Sequence, residues 1–197
     1  MQDNHLEKLI YLFSRIPGFG PRSARRAVLH LIKYRESLML PLGDLMKFVA
    51  EITEHCKNCG NLDTNSVCHI CKDQRRDHNT ICVVETIADL WAIERGRIYH
   101  GMYHVLGGTL SATTNKSPDT LNIPKLIERA EHPDIIEVII ATNATVDGQT
   151  TAYYITEKLK DTEVKVSRLA HGIPLGGELD YLDEGTLGAA LALRQPF

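Results

Sequence analysis

Four of the chain's five cysteines stand in two CxxC pairs, Cys56-Lys57-Asn58-Cys59 and Cys68-His69-Ile70-Cys71, with eight residues between the pairs. Each pair can bend two sulfurs toward one point, and two pairs supply the four thiolates that zinc takes in a closed tetrahedral site. Gly60, directly after the first pair, offers the backbone freedom that a tight knuckle needs. Four sulfurs leave no open position for water, so a metal held there supports structure rather than catalysis. An iron-sulfur cluster, a redox dithiol and plain space-filling are the rival readings; the ligand spacing favours one structural zinc per chain. His55, His69 and His78 lie near enough in sequence to replace a cysteine ligand and are read instead as surface residues. Cys82 falls inside the apolar run ICVVE and reads as a buried free thiol. An odd cysteine count with four packed into sixteen positions argues against a disulfide framework and for a reducing compartment.

A second kind of chemistry is written at Ile16-Pro17-Gly18-Phe19-Gly20-Pro21. Gly18 and Gly20 stand where a backbone must turn sharply and come close to something. The amides of such a turn, followed at once by a helix N-terminus, make a site for a phosphate oxygen. Arg22, Arg25, Arg26 and Lys33 then fall within an arc of roughly 100° on the following helix, opposite its apolar stripe, at about 100° per residue. Contacts of this sort fix register on DNA without reading bases, so binding is expected to be independent of sequence and sensitive to salt. The plainer reading of the same residues is a solvated charged face beside an ordinary helical turn.

The elements that position these groups follow from periodicity. Leu6, Leu9, Ile10 and Phe13 repeat at the helical period before the turn. After it, Ala24, Val28, Leu31 and Ile32 form the buried face of a helix opened by Pro21. A third helix is expected from about Leu42 to Thr53 with Leu45, Phe48, Val49 and Ile52 inward. From Thr80 onward, β-branched runs at 81–85, 137–143 and 164–170 alternate with helical patterns, which signals βα units around a mainly parallel sheet. The closing stretch, 176–197, reads as a short strand and an amphipathic helix; Leu187, Leu191 and Leu193 would cover either a neighbour's edge or the chain's own sheet. Leu175-Gly176-Gly177 reads as a sharp bend or a partner-facing loop.

At 197 residues and 43% hydrophobic content the chain can build a compact core. With 22 basic against 25 acidic residues its formal charge is −3, so any attraction to nucleic acid must come from a local concentration of arginine and lysine. No run of 18 apolar residues occurs, and Glu7 and Lys8 interrupt what would be a signal-peptide core, so a cytoplasmic protein without membrane contact is expected.

The string from Pro17 to Arg26 resembles the helix-hairpin-helix of non-specific DNA-binding proteins, with its Pro-Gly-apolar-Gly pattern followed by basic and small residues. The segment from about Asn79 to Pro174 resembles a Toprim domain, the α/β unit of primases, type IA topoisomerases and some nucleases. The resemblance implies a magnesium site with a Glu after the first strand and an Asp-x-Asp-x-Glu cluster after a later one. Glu85 matches the first element, while Asn143 and Thr145 stand where the two aspartates would, and Asp147 alone stays acidic. A neutral amide and a hydroxyl are poor ligands for a hard cation, so the domain reads as catalytically disarmed, with Glu85, Asn143 and Asp147 as a weak magnesium or partner site.

Over essentially the whole chain the order of parts resembles the RecR recombination-mediator family. The strings that carry it are CVVE at 82–85, YHVLGG at 103–108, EVIIATN at 137–143 and LAHGIPLGGELDYLDEGTL at 169–187. VDGQ at 146–149 departs from the family, which more usually carries Glu at the second and fourth of these positions. The expected architecture is α/β in several parts. These are a helix-hairpin-helix (1–54), a four-cysteine zinc segment (55–78), a Toprim-like mainly parallel domain (79–174) and a strand-helix tail (175–197). The resemblance implies a non-enzymatic mediator of recombinational DNA repair in bacterial cytoplasm, associated with the nucleoid. It would act with the RecO and RecF proteins at gapped or single-stranded DNA, as a ring-like homo-oligomer with a tetramer among the options. The rival class is a metal-dependent nuclease or nucleotidyl transferase using Glu85 and Asp147, and a third is a zinc-containing scaffold that never touches DNA.

Overall fold

The computed structural model describes residues 4–111, 116–170, 173 and 176–192. Two compact units divide between Thr53 and Glu54. The first holds helix α1 (His5–Ser14), helix α2 (Pro21–Lys33), a π-helical turn (Arg35–Met39) and helix α3 (Leu40–Ile52). The Asn4 side chain caps α1 by accepting from the Glu7 amide at 3.3 Å. Between α1 and α2 the Phe19 amide donates to the Ile16 carbonyl at 2.9 Å. Gly18, third in that turn, has φ +85°, which is the backbone a type II turn demands and a side chain resists. The faces of α1 and α2 close on Ile10, Ala24 and Val28, with Leu9, Phe13 and Ile32 at the margin.

Helix α3 departs from expectation in two ways. It begins at Leu40, continuing directly from the π-helical turn. None of its residues is buried: Leu45, Phe48 and Val49, expected inward, are exposed, and Ile52 is half-buried. The periodicity reported an apolar stripe correctly but could not report whether anything covers it, and the small core between α1 and α2 does not.

The second unit begins with a two-stranded antiparallel ladder, β1 (Glu54–His55) and β2 (Leu62–Asp63), and a short helix α4 (His69–Lys72). There follow β3 (Asp77–Val84), α5 (Ile87–Gly96), β4 (Gly101–Val105), α6 (Ile123–Ala130), β5 (Glu137–Ala141), α7 (Val146–Leu159) and β6 (Lys165–Arg168). These four strands form one sheet in the order β4-β3-β5-β6, parallel throughout. The architecture is therefore α/β, as expected, and the buried strands are the apolar runs that a sheet covered on both faces requires.

Alternation along β3 assigns its two faces. Ile81 and Val83 join Leu126, Val138, Ile140, Ile155 and Leu159 in one core. Cys82 and Val84 join Leu90, Tyr103, Val105, Ile70 and the cysteines of the two knuckles in another. The cysteine segment thus shares a core with the sheet. Cys82 is buried and free, and burial pushes its thiol up to about 12.

The chain leaves β3 for β4 on one side and later returns to β5 on the other, which opens a crevice beyond the carboxyl ends of β3 and β5, where ligands sit in open α/β sheets. In the tail, a 3-10 turn (Leu179–Tyr181) stands where a short strand was expected, followed by α8 (Glu184–Ala192). The nine residues of α8, EGTLGAALA, are small or apolar nearly all round, so the expected amphipathic pattern is lost; Leu187 is half-buried and Leu191 exposed. Gly176 has φ +80°, which suits a bend; Leu175 and Leu193 lie outside the described residues.

Candidate functional site

The first CxxC pair is shaped by backbone bonds within its own loop: the Cys56 amide donates to Asn61 O at 2.7 Å and the Gly60 amide to Cys56 O at 2.9 Å. Gly60 has φ +79°, and a Cβ there would lie 3.1 Å from Val105 O. Both the conformation and the close approach call for glycine. The second pair straddles the start of α4, and the Cys68 amide donates to Cys56 Sγ at 3.3 Å. The four sulfurs all lie within 4.8 Å of one another, with Cys59 and Cys68 Sγ 3.6 Å apart. A zinc ion bonded to four thiolates at about 2.3 Å sets its sulfurs about 3.8 Å apart. The cluster fits that ion.

Cys56, Cys59 and Cys68 are buried and Cys71 is half-buried. The contact with Cys68, reinforced by burial, pushes the Cys59 thiol up to about 12, while the same contact pulls Cys68 down. Thiols this close cannot all ionise without a compensating cation, which a bound dication supplies. The neighbouring histidines are engaged elsewhere: His55 Nδ1 with Gly60 O at 3.1 Å, His69 Nδ1 with Asp63 Oδ2 at 3.0 Å and His78 Nε2 with Asp73 O at 3.2 Å.

The knuckles are fastened to the sheet by residues that sequence reasoning missed. The Val105 amide donates to Cys59 O at 2.7 Å, and Trp91 Nε1 on α5 donates to Asn61 Oδ1 at 3.0 Å. His104, buried in β4, pairs through Nε2 with Asn122 O at 2.8 Å and lies with Nδ1 2.9 Å from the Arg129 guanidinium. The same Arg129 nitrogen donates to Tyr103 O at 2.9 Å. Burial first, and the Arg129 charge second, lower the His104 pKa to about 3. The ring is therefore neutral, with its proton on Nε2 and a free lone pair for Arg129 on Nδ1. The single signal in the sequence was a histidine in an otherwise apolar strand.

At the crevice, Glu85 follows β3 and is only 8% exposed. Its Oε1 accepts the Asn143 backbone amide at 2.7 Å and its Oε2 the Asn143 side-chain amide at 2.8 Å. One residue thus satisfies both oxygens of the carboxylate. Thr145 caps α7 by accepting from the Gly148 amide at 3.0 Å. A Cβ at Gly148 would lie 2.2 Å from Asn143 O and 2.8 Å from Glu85 Oε1, so the first turn of α7 is pressed onto the pair. Asp147 lies in that turn but forms no hydrogen bond with Glu85 or Asn143. Among the described residues the four cysteines are the one group of three or more such side chains close enough to share a metal ion.

In the helical unit Arg22, Arg25, Arg26 and Lys33 are not buried, and the three arginines are exposed. Gly20 stands at the N-cap of α2 and brings no side-chain cap, and no acidic residue occupies the first turn. The leading amides and the positive end of the helix dipole are left without a carboxylate from their own helix. Nothing lies within 4 Å of the place a Cβ would take on Gly18 or Gly20. Their surface is open to close approach.

Comparison with known proteins matches four regions in chain order. The RecR helix-hairpin-helix matches residues 6–49, the RecR four-cysteine zinc finger domain residues 55–73, the Toprim domain residues 79–170, and the RecR C-terminal region residues 172–195. The chain is 58% identical over 192 residues to the Recombination protein RecR of a Bradyrhizobium species, covering 98% of this chain and 96% of that relative. It is 58% identical over 189 residues to the Recombination protein RecR of Brucella anthropi, covering 96% and 94%. A Rhodopseudomonas palustris protein of the same name is 56% identical over 192 residues, covering 98% and 96%.

Proposed function

The chain belongs to the RecR family, and from that premise we propose that it is a DNA-binding recombination mediator of DNA repair. The observation that carries the reading is the opening of α2: an uncapped helix N-terminus behind the Gly18 turn, flanked by exposed Arg22, Arg25 and Arg26. Gly18 and Gly20 let a phosphate reach the amides and the arginines hold the strand, so binding is independent of base sequence. The protein works in the cytoplasm at gapped and single-stranded DNA together with the RecO and RecF proteins. Its working parts are the helix-hairpin-helix at 1–54, the zinc segment at 55–78, the Toprim-like body at 79–174 and the tail at 175–197. Among the described residues no helix is long and apolar enough to cross a membrane.

Cys56, Cys59, Cys68 and Cys71 hold one structural zinc per chain. It supplies the cohesion of a short loop that has little core of its own. The mediator does not cut or join DNA, because Asn143 already occupies both oxygens of Glu85 and Asp147 is too few carboxylates to hold magnesium for phosphoryl chemistry. It works as a ring-like homo-oligomer. Support comes from α3, whose Leu45, Met46, Phe48 and Val49 remain exposed within the protomer, and from the gain in effective concentration when several small basic ridges are linked.

The double replacement Arg22→Ala and Arg26→Ala, with affinity for single-stranded and gapped DNA followed across a salt series, tests the reading. We expect weaker binding to every sequence and a salt slope smaller by about one for each phosphate contact removed. Unchanged affinity together with an unchanged slope rejects it. Glu85-dependent cleavage of nicked or gapped DNA in magnesium or manganese would favour the enzymatic alternative instead.

A further inference from the structure

Arg129 belongs to α6, yet its guanidinium is turned away from solvent onto β4, where the Tyr103 carbonyl and His104 Nδ1 both receive it at 2.9 Å. Both acceptors are neutral and belong to residues that are almost wholly buried. Among the described residues no carboxylate lies within ion-pair distance of it, although Glu128 lines the same cavity. Cys71 lines that cavity too. Burial lowers the Arg129 pKa, and negative charge on the four cysteine sulfurs opposes that. Arg129 is half-buried, and a cation partly withdrawn from water without a counter-charge carries a cost that two neutral acceptors do not remove.

A zinc ion surrounded by four thiolates keeps two net negative charges in a site where Cys56, Cys59 and Cys68 are shut from solvent. That excess also needs a partner. We infer that Arg129 is the counter-charge of the zinc tetrathiolate and that, through His104 and Asn122, it ties metal occupancy to the packing of α6 against β4. The chain of contacts is continuous: guanidinium to His104 Nδ1, His104 Nε2 to Asn122 O, and Asn122 Nδ2 to Val105 O at 3.0 Å, while the Val105 amide returns to Cys59 O. The finger and the α/β body are joined by charge as well as by shape. Loss of the metal removes the negative charge that faces the half-buried Arg129 and weakens its tie to β4, while Ile123, Leu126 and Ala130 still hold α6 in the core.

The inference rests on the zinc reading, so the first measurement is zinc per chain in the intact wild-type protein; its absence there sinks the zinc reading itself. With zinc present, Arg129→Met keeps most of the side chain's bulk and removes the charge, whereas Arg129→Lys keeps the charge and loses the planar fork. Competition with a chromogenic chelator should show zinc held about 10- to 100-fold less tightly in Arg129→Met, as for other groups that support metal ligands, with most of the loss recovered in Arg129→Lys. Equal retention in all three proteins, or equal loss in both variants, overturns the counter-charge. Hydrogen exchange on the wild type before and after chelation covers the case in which Arg129→Met fails to fold. Amides of α6 should lose protection while those of α7 keep theirs; an undisturbed α6, or equal loss in α6 and α7, overturns the link.

Discussion

The cysteine cluster and the Glu85 corner both gather polar groups against the same parallel sheet, and they neutralise them in opposite ways. In the cluster every ligand position is filled by sulfur and the compensating charge must arrive as a metal ion. In the corner a single residue, Asn143, lays two donors on one carboxylate, and the compensation is internal. A single buried carboxylate can thus be held by hydrogen bonds alone, without a cation. Four thiolates have no such internal partner, and without a metal ion they can shed their charge only by taking up protons.

The comparison breaks first at the metal. Cys56→Ser or Cys71→Ser should abolish zinc binding and remove a contribution on the order of 10 kcal/mol. Because Cys56, Cys59 and Cys68 belong to the same core as Val84 and Tyr103, the damage should reach the sheet and lower soluble yield along with Tm. A zinc-free variant with wild-type Tm would show that the cluster, too, can neutralise itself.

A smaller effect is expected at the corner. Asn143→Asp sets a second carboxylate against Glu85, replacing the side-chain attraction by a repulsion, and should cost about 1–3 kcal/mol in metal-free buffer. Manganese or magnesium should restore part of that loss. Thermal denaturation with and without the metal reads both; a variant indifferent to metal would mean that the crevice does not hold a cation even with two carboxylates.

Smaller again is a pH effect at His104, where burial and Arg129 depress the pKa to about 3. The unfolded chain takes up this proton near pH 6.5, well before the folded one does. Stability from this group is complete above about pH 6.5 and falls toward pH 3, by up to about 1.4 kcal/mol per pH unit. Denaturant unfolding of wild type and His104→Gln at pH 7 and pH 5 should show the shallower pH dependence in the variant. Equal slopes would show that the ring already carries its proton in the folded state.

Local patterns were legible in the sequence because local geometry enforces them. The CxxC spacing alone points the sulfurs together, and β-branched runs such as ICVVE can hardly be anything but covered strands in a chain of alternating elements. What stayed hidden depends on contacts between distant residues. Asn143 was visible as a missing acid, but its clasp on Glu85 spans 58 positions. Arg129 drew no notice in the sequence, since nothing in IPKLIERA shows that β4, 25 positions earlier, presents it with a histidine. The stripe on α3 failed in the reverse sense: the pattern was real and the cover was not there.

The chain's one tryptophan, Trp91, holds its indole proton on Asn61, which lies in sequence between the two cysteine pairs. Indole emission responds to the polarity and hydrogen bonding around the ring, so the protein carries its own optical gauge of whether the finger is closed. Folding and metal exchange can both be followed by ultraviolet excitation of the unlabelled molecule.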